Sequence, residues 1–513
     1  MSIEIQFETS EPTPRSLPLS YRMRASVSCH QNHLGVILVL DVPLRAIRVN
    51  QSWAATMGLL ATGSFIPLEE LVSEADLQEP EKVELFLDGL VRQGILERRG
   101  FVSLEGPPLV SAIVPVRNRP VDIETCLCAL QQLHYPRDRV EIIVVDDASQ
   151  DATPAVISRF PVKHLTLKEH KQASYCRNLA ARKSKGEILA FVDSDCRVHP
   201  EWLSELVSCF RDRSIAAVGG LVDSWHEKSA LDRYEKVKSS LHLGHRLRRS
   251  TEGQPFFYVP SCNLLVRRGP FLDLGGFRED LHVGEDVDLS WRLRDAGYQI
   301  EYRPFGVVYH KHRNQWRTFC ARRFEYGTSE PMLQQLHPNR IKQIPFPLGG
   351  GAFWGIVGLA LIWVFAPLLV LAGLVLLLDS QLRSRRFKEK GIPFRSHRLV
   401  VAVLRSYFAF LHQSNAFVSR YYLLWLPVLF LVSPAVGVIV LGMHFVTGIV
   451  EFYIKRADLN LPTFLWYYSM EQLSYQAGVW WGCLRGLCFK PVNPRLVLRR
   501  AEADGKRPSA ALP

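Results

Sequence analysis

The chain has 513 residues, of which 47% are hydrophobic and 22% charged, and its formal net charge is +12. This composition is too apolar for a disordered chain, and the length suits two to four domains. A basic protein binds anionic lipid, a polyanionic substrate or nucleic acid. Because the sequence has neither zinc-finger spacing nor an aromatic RNA-binding motif, we expect no nucleic-acid partner. The ten cysteines include no CxxC pair, which indicates reduced thiols in a chain that faces the cytosol.

The chain begins with a polar stretch, residues 1–33, that we expect to be a loose lead-in. Its first residues, MSIEIQFETSEPTPR, are acidic and have no apolar core, so they do not predict a secretory signal peptide.

Residues 34–101 predict a small separate domain. LGVILVLDV and RAIRVN are typical of short strands, and WAATMGLLATG predicts a helix that ends at Gly63. EKVELFLDGLVRQG predicts a second helix, because its apolar residues recur at steps of three and four, and ILERR after Gly94 predicts a wing strand. This order suggests a winged-helix-like module, with a purely structural cap as the alternative.

Residues 109–330 alternate between apolar β-rich runs and helical stretches. LVSAIVPV, VEIIVVDD and EILAFVDSD each end in polar or charged residues, and helical stretches such as 120–133 separate them. The pattern predicts an α/β domain with a mostly parallel, doubly wound sheet, in which ligands bind at the carboxyl ends of the strands.

Two pairs of aspartates stand at such strand ends. Asp146 and Asp147 end one run, and Asp193 and Asp195 end another. A single pair is often a turn or a helix cap, whereas two pairs on one rim are harder to explain that way. The D-x-D spacing brings two carboxylates within reach of one hard cation, so we expect Mg²⁺ or Mn²⁺ with open positions for a diphosphate.

A third acidic group, Glu285 and Asp286, opens the predicted helix in GEDVDLSWRL. Carboxylates at a helix N-terminus are favourable in any case, by about 0.3–1 kcal/mol, so capping is the alternative. A free carboxylate beside a metal-bound diphosphate is also well placed to act as a general base.

The C-terminal part, residues 350–490, predicts a membrane-associated helical region followed by a basic tail, 491–513. Residues 352–378 and 421–450 contain no Lys, Arg, Asp or Glu. About 20 apolar residues span a bilayer, so both segments are long enough.

Taken in order, these motifs resemble glycosyltransferase family 2, the inverting nucleotide-sugar transferases with the GT-A fold. Five segments resemble the family's motifs over about 200 residues: AIVPVRNRP (112–120), EIIVVDDASQDAT (141–153), FVDSDC (191–196), VPSCNLLVRRGPFLDLGGF (259–277) and GEDVDLSWRL (284–293).

The resemblance implies roles for the matching residues. Asp146 or Asp147 would bind the uracil and ribose of a UDP-sugar in a pocket lined by Pro115 and Arg117. Asp193 would lie near the ribose or the metal, and Asp195 would bind the metal. Asp286 would take the proton from the acceptor hydroxyl, with Glu285 positioning the acceptor. His310 is a candidate metal ligand or phosphate contact, with a structural histidine as the alternative.

The processive members of that family carry a Q-x-x-R-W motif, from which NQWRTFCARRFEYG (314–327) departs. We therefore do not expect long processive synthesis. Arg322 and Arg323 are candidates for contacting the diphosphate, with a solvated charge pair as the alternative.

The N-terminal module resembles PqqD-like domains, which bind precursor peptides. Joined to this transferase domain and a membrane region, it resembles the glycosyltransferases of mycofactocin systems. That resemblance implies a peptide-derived acceptor, or its carrier, decorated with glucose from UDP-glucose as a short β-linked chain. The alternatives are a membrane polysaccharide or lipid glycosyltransferase, a non-catalytic peptide-binding scaffold and a transporter.

Two expectations about the orientation in the membrane conflict. Nucleotide sugars are cytosolic, so we expect an enzyme at the cell membrane with its catalytic domain facing the cytoplasm. If both apolar segments span, residues 379–420 lie outside, although they contain nine Lys or Arg against two acidic residues. Short loops rich in Lys and Arg stay cytoplasmic. A first segment that re-enters at Pro367 without crossing would remove the conflict.

Overall fold

The computed structural model describes residues 18–32, 35–41, 44–74, 79–102, 104–250, 257–389 and 396–498. Most of the expected lead-in and the end of the basic tail lie outside these residues. Short 3₁₀ turns occur at Gln51–Trp53, Arg137–Arg139, Ser208–Arg211, Ser261–Asn263, Leu423–Trp425 and Lys490–Val492.

The N-terminal part has its own hydrophobic core. Its elements are β1 Ser20–Met23, β2 Val27–Asn32, β3 Gly35–Asp41, β4 Leu44–Val49, α1 Ala54–Leu60, β5 Ile66–Pro67, α2 Leu68–Glu74, α3 Pro80–Arg92 and β6 Leu96–Arg99. Strands β2, β3 and β4 form one antiparallel sheet, and β1 pairs with β5 and β6 in another. The strands expected at 34–42 and 45–50, both helices and the wing strand are present.

The lead-in prediction is wrong for its last part, because β1 and β2 lie within residues 18–32. Tyr21 in β1 is fully buried, and its hydroxyl donates a hydrogen bond to Asp88 in α3 over 2.9 Å. β1 therefore depends on a contact 67 residues away along the chain, which local sequence patterns do not reveal.

Buried ion pairs join this N-terminal part to the central domain. Asp88 pairs with Arg98 and lies 3.4 Å from Arg303, which also pairs with Glu301 at 2.7 Å. Each of these four side chains is 5% exposed or less. A buried charge is costly without its partner, so this network holds the N-terminal part against the edge of the central sheet.

The central domain contains the strands β7–β17 and the helices α4–α10. They are β7 Val110–Val116, α4 Pro120–Gln131, β8 Val140–Asp146, α5 Thr153–Ile157, β9 Lys163–Thr166, α6 Gln172–Lys183, β10 Ile188–Phe191, β11 Cys196–Val198, α7 Trp202–Val207, β12 Ile215–Gly219, β13 Val222–Ser224, α8 Ala230–Lys238, β14 Arg248–Arg249, β15 Leu264–Arg267, α9 Arg268–Asp273, α10 Glu285–Asp295, β16 Gln299–Tyr302 and β17 Val308–His310.

Eight of these strands form one sheet in the order β14-β16-β12-β15-β10-β7-β8-β9. The predicted strands β7, β8 and β10 pair in parallel, as expected, and so do β8 with β9 and β12 with β16. β15 runs antiparallel to both of its neighbours, and β14 is antiparallel to β16, so the sheet is mixed. Buried apolar clusters cover both faces, which is why the strands read as continuous apolar runs.

The remaining elements are α11 Trp316–Leu336, β18 Gln343–Phe346, α12 Leu348–Ile362, α13 Pro367–Glu389, α14 Ser396–Tyr421, α15 Leu426–Val432, α16 Pro434–Lys455, α17 Leu461–Gly486 and β19 Arg495–Leu498. α11 packs along α17 so closely that the Cα of Gly327 has no room for a side chain. Within the described residues, α13 and α16 are long and apolar enough to cross a membrane.

Neither predicted membrane segment is one continuous helix. Residues 352–378 are divided between α12 and α13, and residues 421–450 between the end of α14, α15 and α16. Two of the three breaks fall next to Pro367 and Pro434, which cannot donate the backbone hydrogen bond that would continue a helix, and the third is the 3₁₀ turn Leu423–Trp425.

Candidate active site

A cavity of about 920 Å³ lies at the carboxyl ends of β7, β8 and β10 and extends to α11 and α17. The sequence-predicted residues that line it are Pro115, Arg117, Asp147, Asp193, Asp195, Glu285, Asp286, His310, Arg322 and Arg323. Asp146 is absent from the lining and lies buried behind it. The topology thus brings together predicted residues from Pro115 to Arg323, which are distant in the sequence, as expected for a site on an open α/β sheet.

Asp147 and Asp146 have different surroundings. The carboxylate of Asp147 accepts hydrogen bonds from the backbone N–H of Lys171 over 2.7 Å and of Gln172 over 3.0 Å, and its Oδ2 lies 2.6 Å from His170 Nδ1. Asp146 accepts from the backbone N–H of Ser149, and its buried Oδ2 has no partner among the described residues. Asp147 is therefore the carboxylate of this pair that a bound molecule in the cavity meets.

Both carboxylates of the D-x-D motif are paired with arginines. Arg119 Nη1 lies 2.5 Å from Asp195 Oδ2, and Arg177 Nη2 lies 2.5 Å from Asp193 Oδ1. Arg177 also reaches Glu285 at 3.1 Å and is almost fully buried, whereas the Arg119 side chain is 36% exposed. Burial works to raise the pKa of Asp195, but the charges of His310 and Arg119 outweigh it, and the pKa lies below its ordinary value.

Asp195 and His310 provide donor atoms suited to a divalent cation. Their ligand atoms and the Cys196 sulfur lie within 4.8 Å of one another. His310 Nδ1 is buried without a hydrogen-bond partner in the described part of the chain, and Nε2 is 3.6 Å from Asp195. Burial raises the pKa of the Cys196 thiol well above its usual value, so this sulfur stays protonated. A carboxylate with an imidazole fits Mn²⁺ or Mg²⁺, for which a thiol is a poor ligand.

Asp286 stands at the start of α10, where Gly284 adopts a φ of +87° and lets the chain turn into the helix. Its carboxylate accepts a hydrogen bond from the backbone N–H of Val287 over 2.8 Å and a longer one from Ser261 over 3.3 Å. Burial, followed by the charge of Glu285, raises the pKa of Asp286 to about 7. A carboxyl group with that pKa can accept a proton near neutral pH.

Comparison with known proteins identifies the domain that carries this site. Residues 111–275 match the model of glycosyl transferase family 2. The chain is 31% identical over 400 residues to the pre-mycofactocin glycosyltransferase of Mycobacterium tuberculosis, an alignment that covers 75% of this chain and 82% of the relative. The chain belongs to glycosyl transferase family 2.

A further relative and a solved structure align with a smaller part of this family 2 chain. Glycosyltransferase AglE of Haloferax volcanii is 31% identical over 221 residues, with 40% of this chain and 70% of the relative aligned. A solved structure, the mannosyltransferase PcManGT from Pyrobaculum calidifontis in complex with GDP-Man and Mn²⁺, aligns with a TM-score of 0.36 and 22% identity, covering 48% of this chain and 68% of that one.

This family 2 chain is a glycosyltransferase, as the sequence motifs predicted. The alternatives of a transporter and of a non-catalytic scaffold are therefore set aside.

At the far end of the glycosyltransferase cavity, Arg323 is only 5% exposed and pairs with Glu235 at 2.7 Å and Glu471 at 3.7 Å. The alternative interpretation of Arg322 and Arg323 as a solvated charge pair is therefore wrong for Arg323. Arg322 is more open, pairs with Glu325 at 3.0 Å and lies over the ring of Tyr326.

Arg323 ties the central domain to the C-terminal helices, because Glu235 is in α8 and Glu471 is in α17. In the same part of the cavity, Arg420 stacks on the ring of Tyr475 at 3.6 Å.

Sequence reasoning missed Arg119, Arg177 and His170. Each contacts a carboxylate that was predicted, and all three line the cavity of the glycosyltransferase. Arg119 was within reach of a sequence argument, because it lies shortly after the end of β7 and is the N-cap residue of α4. Arg177 lies inside α6, and local sequence gives no sign of its two carboxylate partners.

Proposed function

We propose that this family 2 enzyme transfers a hexose from a UDP-sugar to a hydroxyl of a peptide-derived acceptor of the mycofactocin class, with inversion at the anomeric carbon. The observation that carries the proposal is the placement of Asp286, with a pKa of about 7, in the same cavity as the D-x-D pair. The relative that aligns over three quarters of this chain supports the acceptor class through its name.

In the proposed donor site, Asp147 binds the uracil or ribose, and Pro115 and Arg117 line the pocket for the base. Asp193 lies towards the ribose or the metal. Asp195 and His310 would hold Mg²⁺ or Mn²⁺, which when bound would neutralise negative charge on the diphosphate. Arg119 and Arg322, both accessible from the cavity, are the cations that could turn towards the phosphate oxygens. Arg323 is less suited to that task, because its guanidinium is already held by Glu235 and Glu471.

The proposed transfer moves one proton and exchanges one bond. Asp286 accepts the proton of the acceptor hydroxyl, and the acceptor oxygen attacks the anomeric carbon from the face opposite the diphosphate. The bond from the anomeric carbon to the diphosphate oxygen breaks, and UDP leaves with the electron pair. An α-linked donor therefore gives a β-linked product. Glu285, held by Arg177 and 3.3 Å from the Ser261 hydroxyl, would position the acceptor beside Asp286.

The glucose donor, the short β-linked chain and the peptide-binding role of the N-terminal winged-helix-like module are further parts of this proposal. The module that we assign to residues 34–101 would start earlier, since β1 and β2 complete its two sheets. The transferase domain corresponds to residues 109–330 and the membrane-associated region to 350–490, in an enzyme at the cell membrane that faces the cytoplasm.

A second candidate acceptor is a lipid-linked or polysaccharide hydroxyl. The observation in its favour is the large apolar surface of the C-terminal helices, which includes Val364 at 90% and Leu431 at 87% exposure. Such a surface brings the enzyme to the membrane, where lipid-linked acceptors are found.

Mass spectrometry of reaction products tests the proposal. The purified full chain is incubated with Mn²⁺, one of several nucleotide sugars and either the peptide-derived or the lipid-linked acceptor. Each transferred hexose adds a fixed mass to the acceptor, so the preferred donor and acceptor are read from one experiment. Transfer to the peptide-derived acceptor from UDP-glucose is expected, and transfer only to the lipid-linked acceptor would favour the second candidate.

A further inference from the structure

The first apolar region folds back on itself. α12 and α13 are separated by residues 363–366, where Val364 has a φ of +50°. Gly349, near the start of α12, lies against Asp379 of α13, since a Cβ on Gly349 would be 2.9 Å from the Asp379 carboxylate. Both residues are about 15 positions from the break, so the two helices run antiparallel. We refer to residues 348–389 as hairpin 1.

The second apolar region has the same form. α14 bends by 65° into α15, and α15 meets α16 at Ser433. Gly437 packs against the ring of Phe430 across this turn. Further from the turn, the Oγ of Ser419 lies 2.5 Å from His444 Nδ1, and His412 in α14 is 3.4 Å from Glu451 in α16. The two arms are again antiparallel, and we refer to residues 412–455 as hairpin 2.

One arm of each hairpin is too short to cross a bilayer upright, which takes about 20 residues: α12 in hairpin 1 and the seven-residue α15 in hairpin 2. The partner arms α13 and α16, taken alone, are long and apolar enough to cross. α12 has 15 residues. The apolar part of α13 is residues 367–378, after which Asp379 pairs with Arg383 at 3.0 Å and accepts a hydrogen bond from Tyr407 over 2.7 Å. In α16 the apolar part is residues 434–450.

The bases of the hairpins are polar and one is tied to the catalytic domain. Glu451, at the base of hairpin 2, lies 3.1 Å from Lys238 of α8. An ion pair at this point has to stay near water or headgroups, because charged groups are expensive in the hydrocarbon of a bilayer. The base of hairpin 2 is thus on the side of the catalytic domain.

The tips of both hairpins are apolar and exposed. Trp363, Val364 and Phe365 are 67%, 90% and 53% exposed, and Leu431 and Val432 are 87% and 80% exposed. Their backbone N–H groups are largely satisfied within the turns: Trp363 donates to Leu359, Phe365 donates to Ala360, and Ser433 donates to Leu429. Because these backbone groups are already hydrogen-bonded, moving the tips from water into lipid costs little free energy. An irregular backbone is tolerated in lipid only under that condition.

We propose that the chain enters the membrane through two re-entrant hairpins, with the tips in the hydrocarbon of the near leaflet, and that neither hairpin crosses. The catalytic domain and the polar segment between the hairpins then lie on the same side. This placement keeps Arg383, Lys388, Arg398 and Arg405 beside anionic headgroups of one leaflet, which agrees with the tendency of Lys and Arg to stay on the cytoplasmic side. The proposal deepens the membrane attachment in the proposed function and depends on that function only for which side is the cytosol.

Cysteine accessibility in intact cells tests the proposal. The parent chain carries serine in place of the exposed Cys29 and Cys128. Single cysteines are then introduced as Lys388→Cys at the end of hairpin 1 and as Arg159→Cys, an exposed reference position on the central domain. A membrane-impermeant maleimide is added to intact cells and, separately, to permeabilised cells. Both positions are expected to react only after permeabilisation.

The outcomes separate the two claims. Labelling of position 388 in intact cells, with position 159 protected, means that hairpin 1 crosses and overturns the proposal. Labelling of both positions in intact cells leaves both ends of hairpin 1 on one side, as re-entry requires, and instead contradicts the cytosolic orientation in the proposed function. Labelling of position 159 alone in intact cells overturns both the re-entry of hairpin 1 and the cytosolic orientation of the catalytic domain.

Membrane retention provides a second measurement. Val364→Asp places a charge at the tip of hairpin 1, and Val121→Asp places one at an apolar position of α4 that is 71% exposed on the central domain. Val364→Asp is expected to raise the fraction released by an alkaline wash at least severalfold, whereas Val121→Asp behaves as the parent. Equal release from both variants would show that the tip does not enter lipid.

Discussion

Replacing Arg119 with glutamine is expected to strengthen binding of Mn²⁺ in the absence of nucleotide. Arg119 Nη1 lies 2.5 Å from Asp195 Oδ2, so its positive charge opposes a cation held by the same carboxylate through Oδ1, the oxygen 3.6 Å from His310. The same guanidinium is 3.6 Å from Asp122, which gives it a second anion to turn towards.

The expected change in Mn²⁺ affinity follows from the solvent exposure of Arg119 and Asp195. The Arg119 side chain is 36% exposed and Asp195 is 16% exposed, so solvent weakens the pair to about 1 kcal/mol. Removal of a competitor of that strength tightens Mn²⁺ binding about fivefold. Glutamine keeps the length of the side chain without the charge.

Electron paramagnetic resonance of free Mn²⁺ in a titration measures this affinity directly. Arg159→Gln is the matched control, because Arg159 pairs with Glu124 at the surface with 56% and 46% exposure, away from the cavity. Asp195→Asn is expected to abolish the site. Unchanged or weaker Mn²⁺ binding in Arg119→Gln would mean that Arg119 and the cation do not compete for Asp195.

Three further predictions concern catalysis and stability. Because Asp286 has a pKa of about 7 and the proposed base works only when ionised, kcat/KM should fall about tenfold for each pH unit below 7 and level off above it; a pH-independent rate between pH 5 and 8 would exclude that role. Gly327→Ala places a Cβ 2.1 Å from a carbonyl oxygen of α17, so it should destabilise the chain by about 1–3 kcal/mol and lower its Tm, whereas Gly358→Ala, with nothing within 4 Å, should not. Asp88→Ala leaves buried arginines without their carboxylate and should cost about 3–5 kcal/mol of unfolding free energy, against less than about 1 kcal/mol for the exposed pair lost in Glu79→Ala; equal Tm values for these two variants would contradict the role of the buried network.

The acidic half of the site was predictable from the sequence for a simple reason. Asp147 directly follows β8, Asp193 and Asp195 come within a few residues of the end of β10, and parallel strands present their carboxyl ends on one edge. Asp286 starts a helix that the pattern GEDVDLSWRL predicts. The basic half was not predictable to the same extent, because the partners of Arg119 and Arg177 are set by tertiary packing.

The fold was predictable where local pattern and tertiary structure agree. The parallel strands β7, β8 and β10 were expected from their continuous apolar runs. The antiparallel direction of β15 is not visible in its composition, because LLVR is as apolar and β-branched as a parallel strand. β1 is short and polar, and it is recognisable through tertiary contacts, namely its pairing with β5 and β6 and the hydrogen bond of Tyr21 to Asp88.

The membrane region shows the limit of hydropathy. Residues 352–378 contain enough apolar residues to span, but the count does not reveal the break at 363–366. Val364 adopts a left-handed backbone there, and Pro367 starts the next helix. The direction of the chain after the break decides whether the segment crosses or returns.

The most direct test of the central claim is the mass of the product formed by the full chain and by Asp286→Asn with UDP-glucose, Mn²⁺ and the peptide-derived acceptor. The full chain is expected to add hexose units to the acceptor. Asp286→Asn is expected to lose transfer by about 10²–10⁴-fold, the usual contribution of a general base, while UDP binding changes little. Hexose transfer by Asp286→Asn at the rate of the full chain would contradict the assignment of this carboxylate as the base. No hexose transfer by the full chain to the peptide-derived acceptor from any nucleotide sugar would contradict the proposed function.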